Sequence, residues 1–204
     1  MRQKCKKLLL QSGARSYDRS KINQILKKLI ALSKARNILL YIPMEHEVDI
    51  SALFKTLRRK VNLFVPFMQG QSFKVVKYRL PLQQKRFGIK EPKNSRFQRN
   101  IDLAIVPVIG VDGNFRRVGF GKGMYDRYFA TVPKRPLTVF VQQKACITNK
   151  QVTDRYDVLG DLLITPQKII IRGDSDVGRI IGRKLCRHYK WRCRVFRSKK
   201  DRKR

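Results

Sequence analysis

The chain reads as an α/β protein: a three-layer, Rossmann-like domain with a mostly parallel central sheet and helices on both faces. Two observations predict this. Apolar residues at helical spacing (Ile22, Ile25, Leu26, Leu29, Ile30, Leu32) are followed directly by the short apolar run NILLYIP at 37–43. The same alternation returns further on, where IDLAIVPVIG at 101–110 leads through a glycine-rich loop into a helix-like stretch at 124–130. Strands separated by helices call for crossover connections, and these build parallel sheets.

Each element has its own signal. Residues 2–10 (RQKCKKLLL) form a short basic helix, and 19–33 an amphipathic one whose apolar stripe belongs to the core. After the strand at 37–43, Ile50, Leu53, Phe54 and Leu57 mark the next helix, with Asp49 or Ser51 as its cap. VNLFVPFM at 61–68 is a buried strand, and FKVVKYR at 73–79 alternates as a half-exposed antiparallel one. KRFGIKEP at 85–92 is a fixed loop and 93–100 a polar connection. LTVFVQQ at 137–143 and DLLIT at 161–165 are short strands.

The 204 residues suffice for one sizeable domain, and 42% hydrophobic content excludes a disordered chain. No apolar run reaches the roughly 20 residues of a membrane span, and the apolar stretch at 8–10 is too short for a signal peptide. The expectation is a cytoplasmic protein without membrane attachment. Cys5, Cys146, Cys186 and Cys193 show no paired CxxC spacing. Cys186, His188 and Cys193 lack a fourth zinc ligand nearby, so free thiols in a reducing compartment are expected. The net charge of +34 favours polyanionic partners, or else is a solvated basic surface.

The loop RRVGFGKGMYDRYF, residues 116–129, holds the chemistry. Gly119, Gly121 and Gly123 alternate around Phe120 and Lys122, with Arg116 and Arg117 upstream. Glycines allow close backbone approach to an anion, and the cations would neutralise phosphates. Asp126 lies close enough in sequence to hold a metal ion beside them. The spacing fits neither the Walker loop nor the dinucleotide fingerprint, and a plain tight turn remains the alternative. Glu47 follows a strand's C-terminal end, where parallel sheets carry ligand groups, or else is an ordinary loop charge.

Val106, Pro107, Asp112, Arg117, Val118, Gly119, Gly121, Gly123, Met124, Tyr125 and Asp126 together resemble the signature of the 5-formyltetrahydrofolate cyclo-ligase family, also called 5,10-methenyltetrahydrofolate synthetase. Phe87-Gly-Ile-Lys-Glu-Pro92 extends the likeness, as does QVTDRYDVLGD at 151–161; it ends near Arg172. The resemblance implies ATP and Mg2+ as cofactors and 5-formyltetrahydrofolate, including polyglutamylated forms, as substrate. It implies Arg117 and Lys122 as catalytic groups. Nucleotide binding would fall to Arg2, Lys6 and the run Arg117, Val118, Gly119, Phe120, Gly121, Lys122, Gly123, Met124 and Tyr125. An alternative alignment makes Arg2 the counterpart of the helix arginine that Lys6 otherwise matches. Substrate contacts would come from Ile42, Glu47, Phe87, Phe120, Lys122 and Met124, and metal ligands from Asp126 and Asp157. Met124 stands where the family has the first of two tyrosines, Val108 where it has glycine, and Tyr156 where it has histidine.

Residues 1–172 are thus expected to form the α/β domain, in a monomer, and 173–204 a basic, flexible extension. From 176 to 204 thirteen Lys/Arg stand against Asp176 and Asp201. Tyr189, Trp191 and Phe196 are interleaved with those cations, a pattern suited to nucleic acid, with a functionless tail as the alternative.

Overall fold

A computed structural model describes residues 1–11, 16–84, 90–96, 100–189 and 193–197. The helices are α1 (Arg2–Gln11), α2 (Ser16–Ser33), α3 (Ser51–Leu57), α4 (Met124–Ala130) and α5 (Asp176–Tyr189). The strands are β1 (Asn37–Leu39), β2 (Asn62–Gln69), β3 (Ser72–Lys77), β4 (Gln83–Gln84), β5 (Lys90–Glu91), β6 (Leu103–Pro107), β7 (Gly110–Val111), β8 (Arg117–Val118), β9 (Leu137–Val141), β10 (Leu162–Ile164), β11 (Ile169–Arg172) and β12 (Cys193–Phe196).

Eight strands form the main sheet in the order β12-β11-β10-β9-β6-β1-β2-β3. β2, β1, β6, β9 and β10 run parallel to one another. β3 turns back on β2, and β11 turns back on β10 with β12 parallel to it. The expected mostly parallel α/β sheet is therefore present. From β1 the chain builds outward first through β2 and β3, then returns to β1's other side with β6. This reversal leaves a crevice at the carboxyl ends of β1 and β6.

Successive side chains leave a strand on opposite faces, so each strand feeds two cores. Ile38, Leu63, Val65, Leu103, Ile105, Val139 and Leu162 pack beneath α2, α3 and α5. Leu39, Phe64, Ala104, Val106, Phe140 and Leu163 face the other way, toward Phe115 and α4's Met124, Tyr125, Tyr128 and Phe129. Burial on both faces explains why these strands read as continuous apolar runs. Neither expected residue caps α3 from the N-cap position, which is Ile50. Instead Asp49 Oδ1 accepts the Ser51 amide hydrogen at 2.9 Å.

Two expectations are corrected. Residues 173–189 and 193–197 are not set apart from the domain. β12 extends the main sheet beside β11, and Ile181 and Leu185 of α5 are buried in the larger core. Tyr189 packs against that core, and the Phe196 ring lies 5.2 Å from Phe115. These two aromatics thus serve packing rather than nucleic-acid stacking; Trp191 lies outside the described residues. The join is reinforced by Asp161, 1% exposed. Its carboxylate accepts from Arg135, Arg172, Ser175 and the Thr138 backbone at 2.7–3.0 Å.

The cysteines are the second correction. Cys5 is disulfide-bonded to Cys146, and Cys186 to Cys193. The first bond sits in a small satellite core with Ile109 and Val118 and ties α1 to the body of the domain. Spacing cannot reveal it, because 141 residues separate the partners. The second joins α5 to β12 and accounts for the two sulfurs considered as zinc ligands. No helix among the described residues is long and apolar enough to cross a membrane.

Candidate active site

The loops leaving β1 and β6 meet at the crevice, and Arg117 stands between them. It is 8% exposed. Its Nε donates to the Pro107 carbonyl at 3.2 Å, at the end of β6. One terminal nitrogen lies 3.5 Å from Asp126 Oδ2, and the guanidinium carbon sits 4.9 Å from the Tyr125 ring centroid. A Cβ on Gly119 would run into this guanidinium, so glycine there leaves room for Arg117 to hold its place.

Gly121 and Gly123 adopt φ of +112° and +58°, backbone that L side chains resist. These two positions turn the loop back on itself and deliver it into α4. α1 comes over the same loop. An Arg2 terminal nitrogen lies 3.6 Å from where a Cβ on Gly121 would be, and Lys6 Nζ lies 5.8 Å from the centroid of the Phe120 ring. One helical turn separates Arg2 from Lys6, so both reach the loop from one helix face. Lys122 is exposed, while Val118 is buried and Met124 and Tyr125 pack inward. Sequence-distant cations thus converge on one glycine-rich turn.

Across the crevice the segment after β1 folds on itself. The Glu47 amide donates to Met44 O at 3.0 Å, and Glu47 Oε2 accepts the Met44 amide hydrogen at 3.1 Å. Burial raises the Glu47 carboxyl to about 7, even though the Met44 hydrogen bond and the Arg117 charge favour its ionised form. Tyr41, buried beneath, donates its hydroxyl to Val48 O at 2.7 Å and pins this turn. Burial, with the Glu47 charge second, also raises the Tyr41 and Tyr125 hydroxyls well above the ordinary phenol range. Ile42 is half-buried against the larger core.

The two expected metal ligands are electrostatic neighbours. Asp126 Oδ1 accepts the Val158 amide hydrogen at 3.1 Å, while its other oxygen faces Arg117. Asp157 Oδ2 accepts the Asp154 amide hydrogen at 2.7 Å. Burial raises the Asp157 carboxyl, and the charges of Asp126 and Asp154 add to the rise. Among the described residues no group of three or more His, Cys, Asp or Glu converges on one point. Two carboxylates still suit magnesium, which keeps waters and takes its other oxygens from phosphate. Phe87 lies outside the described residues, and Tyr156, at the histidine position, is 72% exposed.

Residues 2–158 match the model of the 5-formyltetrahydrofolate cyclo-ligase family. The chain belongs to this family. It is 28% identical over 166 residues to 5-formyltetrahydrofolate cyclo-ligase of Mycoplasma genitalium, a match covering 78% of this chain and 90% of that protein. The Haemophilus influenzae protein of the same name is 28% identical over 116 residues, 52% of this chain and 62% of that one. Among solved structures, Aquifex aeolicus 5,10-methenyltetrahydrofolate synthetase superposes with a TM-score of 0.69 at 27% identity, over 82% of this chain and 89% of that one. The α/β expectation therefore stands on a solved structure as well.

Two residues that shape the site carry no role in the sequence reading. Tyr41 sits inside the apolar run at 37–43 and looks like another core residue. Arg127 lies just beyond the signature; only its spacing of four from Gly123, one helical turn, hints that it returns toward the loop.

Proposed function

We propose that the chain catalyses the ATP- and magnesium-dependent cyclisation of 5-formyltetrahydrofolate to 5,10-methenyltetrahydrofolate, releasing ADP and phosphate. The observation that carries this reading is the convergence of Arg2, Lys6 and Arg117 on the glycine loop, facing Glu47 across one crevice. When bound, ATP supplies the phosphoryl group that converts the formyl oxygen into a leaving group as N10 closes the ring.

The chain's own part is to bind and orient. Backbone N–H groups of 119–123 and the charges of Arg2, Lys6 and Lys122 hold the triphosphate. Arg117 and Lys122 offset charge that grows on the transferring group, and Arg117's fixed partners leave it little reorganisation at that moment. Asp126 and Asp157 would hold magnesium at the phosphates. Glu47, with Ile42, Phe120 and Met124, would orient the folate. Its carboxyl near 7 serves as donor or acceptor around neutrality. No side-chain nucleophile is required. The exposed cations suit a polyglutamate extension on the substrate.

The test follows methenyltetrahydrofolate absorbance with 5-formyltetrahydrofolate, ATP and magnesium, against an ATP-free control and Lys122→Ala. ATP-dependent product that falls at least tenfold in kcat/KM with Lys122→Ala supports the reading. No product from folded protein that binds ATP overturns it.

A further inference from the structure

Arg127 lies one residue beyond the signature and makes an unusual set of contacts for an exposed arginine. Its Nε donates to the Gln71 carbonyl at 2.8 Å, and one terminal nitrogen donates to that same oxygen. That terminal nitrogen also donates to the Lys122 carbonyl at 2.5 Å. Gln71 sits in the β2–β3 turn at the sheet edge, and Lys122 in the glycine loop. One guanidinium therefore ties the loop to the edge hairpin. The hairpin is itself held against α4, because Phe73 stacks on Tyr128 at 4.6 Å and meets Tyr125 edge-on at 5.0 Å.

The consequence for the loop follows from peptide geometry. In a planar trans peptide the carbonyl of one residue and the N–H of the next point in opposite directions. With the Lys122 carbonyl turned onto Arg127, the Gly123 N–H points away from it. Gly123 permits this in two ways. Its φ of +58° needs no Cβ, and a Cβ there would sit 3.0 Å from an Arg127 terminal nitrogen. Lysine could not replace Arg127 here, since a single ammonium lacks the planar fork that reaches two carbonyls at once.

We infer that Arg127 is a positioning residue for the nucleotide: by clamping the Lys122 carbonyl to the Gln71 turn, it sets the direction of the Gly123 N–H and the conformation of the phosphate loop. The inference rests on the nucleotide role proposed above for residues 119–123.

The experiment compares wild type, Arg127→Met and Arg127→Lys by calorimetric binding of a non-hydrolysable ATP analogue, steady-state kinetics and amide hydrogen exchange of the ligand-free proteins. Both variants are expected to weaken nucleotide binding and raise the KM for ATP roughly tenfold while leaving the KM for 5-formyltetrahydrofolate within about twofold. Exchange should quicken at 119–123 and not across the sheet. Unchanged nucleotide affinity and loop exchange would overturn the inference. So would a uniform loss of protection with both KM values altered alike, the mark of general destabilisation. If wild type binds no nucleotide, the proposed function fails; loop exchange in the variants then still decides whether Arg127 clamps the loop.

Discussion

The guanidinium of Arg117 lies over the ring of Tyr125, 4.9 Å from its centroid, and joins β8 to the first turn of α4. Phe73 from β3 meets the same ring at 5.0 Å. A buried cation, an aromatic ring and the sheet edge thereby meet at Tyr125. Tyr125 keeps its proton across the neutral range, because burial and the nearby Glu47 charge oppose ionisation.

Arg117 supports stability and the site together. Arg117→Met leaves Asp126, whose side chain is 16% exposed, facing an apolar stem. It also removes the donor to the Pro107 carbonyl. We expect a loss of about 3 kcal/mol, measured by urea denaturation, together with loss of turnover. Adding Asp126→Asn in the same chain should restore part of the stability and none of the activity.

Glu47 makes stability fall as pH rises. Its carboxyl titrates near 7 in the folded chain against 4.5 ordinarily. Below the unfolded value both states are protonated and the group costs nothing. Above about 7 both are ionised, and the folded state bears the full cost of the half-buried charge. Between pH 5 and 8 this amounts to on the order of 2 kcal/mol, allowing for partial solvation. Glu47→Gln keeps an acceptor for the Met44 amide and should flatten that part of the urea-denaturation profile. A slope equal to wild type would contradict the assignment.

Asp161 has the opposite sign. Burial alone would raise its carboxyl, but the Arg135 contacts, with help from Thr138 and Ser175, bring it below the ordinary value. Its contribution is complete above the ordinary carboxylate range and disappears as pH falls through the lowered value. Asp161→Asn takes the buried carboxylate away from Arg135 and Arg172, leaving Arg172 its Asp174 contact, and should cost about 3 kcal/mol at pH 7. The gap to wild type should close in acid, as thermal unfolding against pH would record.

The Cys5–Cys146 bond holds α1 where Arg2 and Lys6 reach the loop. Cys5→Ser, or reduction by a dithiol, should loosen α1. Limited proteolysis is expected to cut earlier within α1, and the KM for ATP to rise several-fold, with the sheet intact by circular dichroism. Proteolysis and KM unchanged on reduction would show that the satellite core alone seats the helix.

Six of the main sheet's eight strands are legible as apolar or alternating runs, Leu103–Pro107 among them, and so is the amphipathic face of α2. The glycine loop and the placing of Glu47 after β1 are legible too, because each is written in neighbouring residues. Contacts that pair distant parts of the chain are not written locally. Arg2 meets Gly121, Tyr41 pins the Glu47 turn, and Arg127 reaches Gln71. Cys5 finds Cys146, and Asp161 draws the chain beyond Arg172 into the fold. The tail's charge run concealed the burial of Ile181 and Leu185 within it. Periodicity records which face a residue presents and is silent about its partner; strand order and the handedness of the crossovers choose the partner.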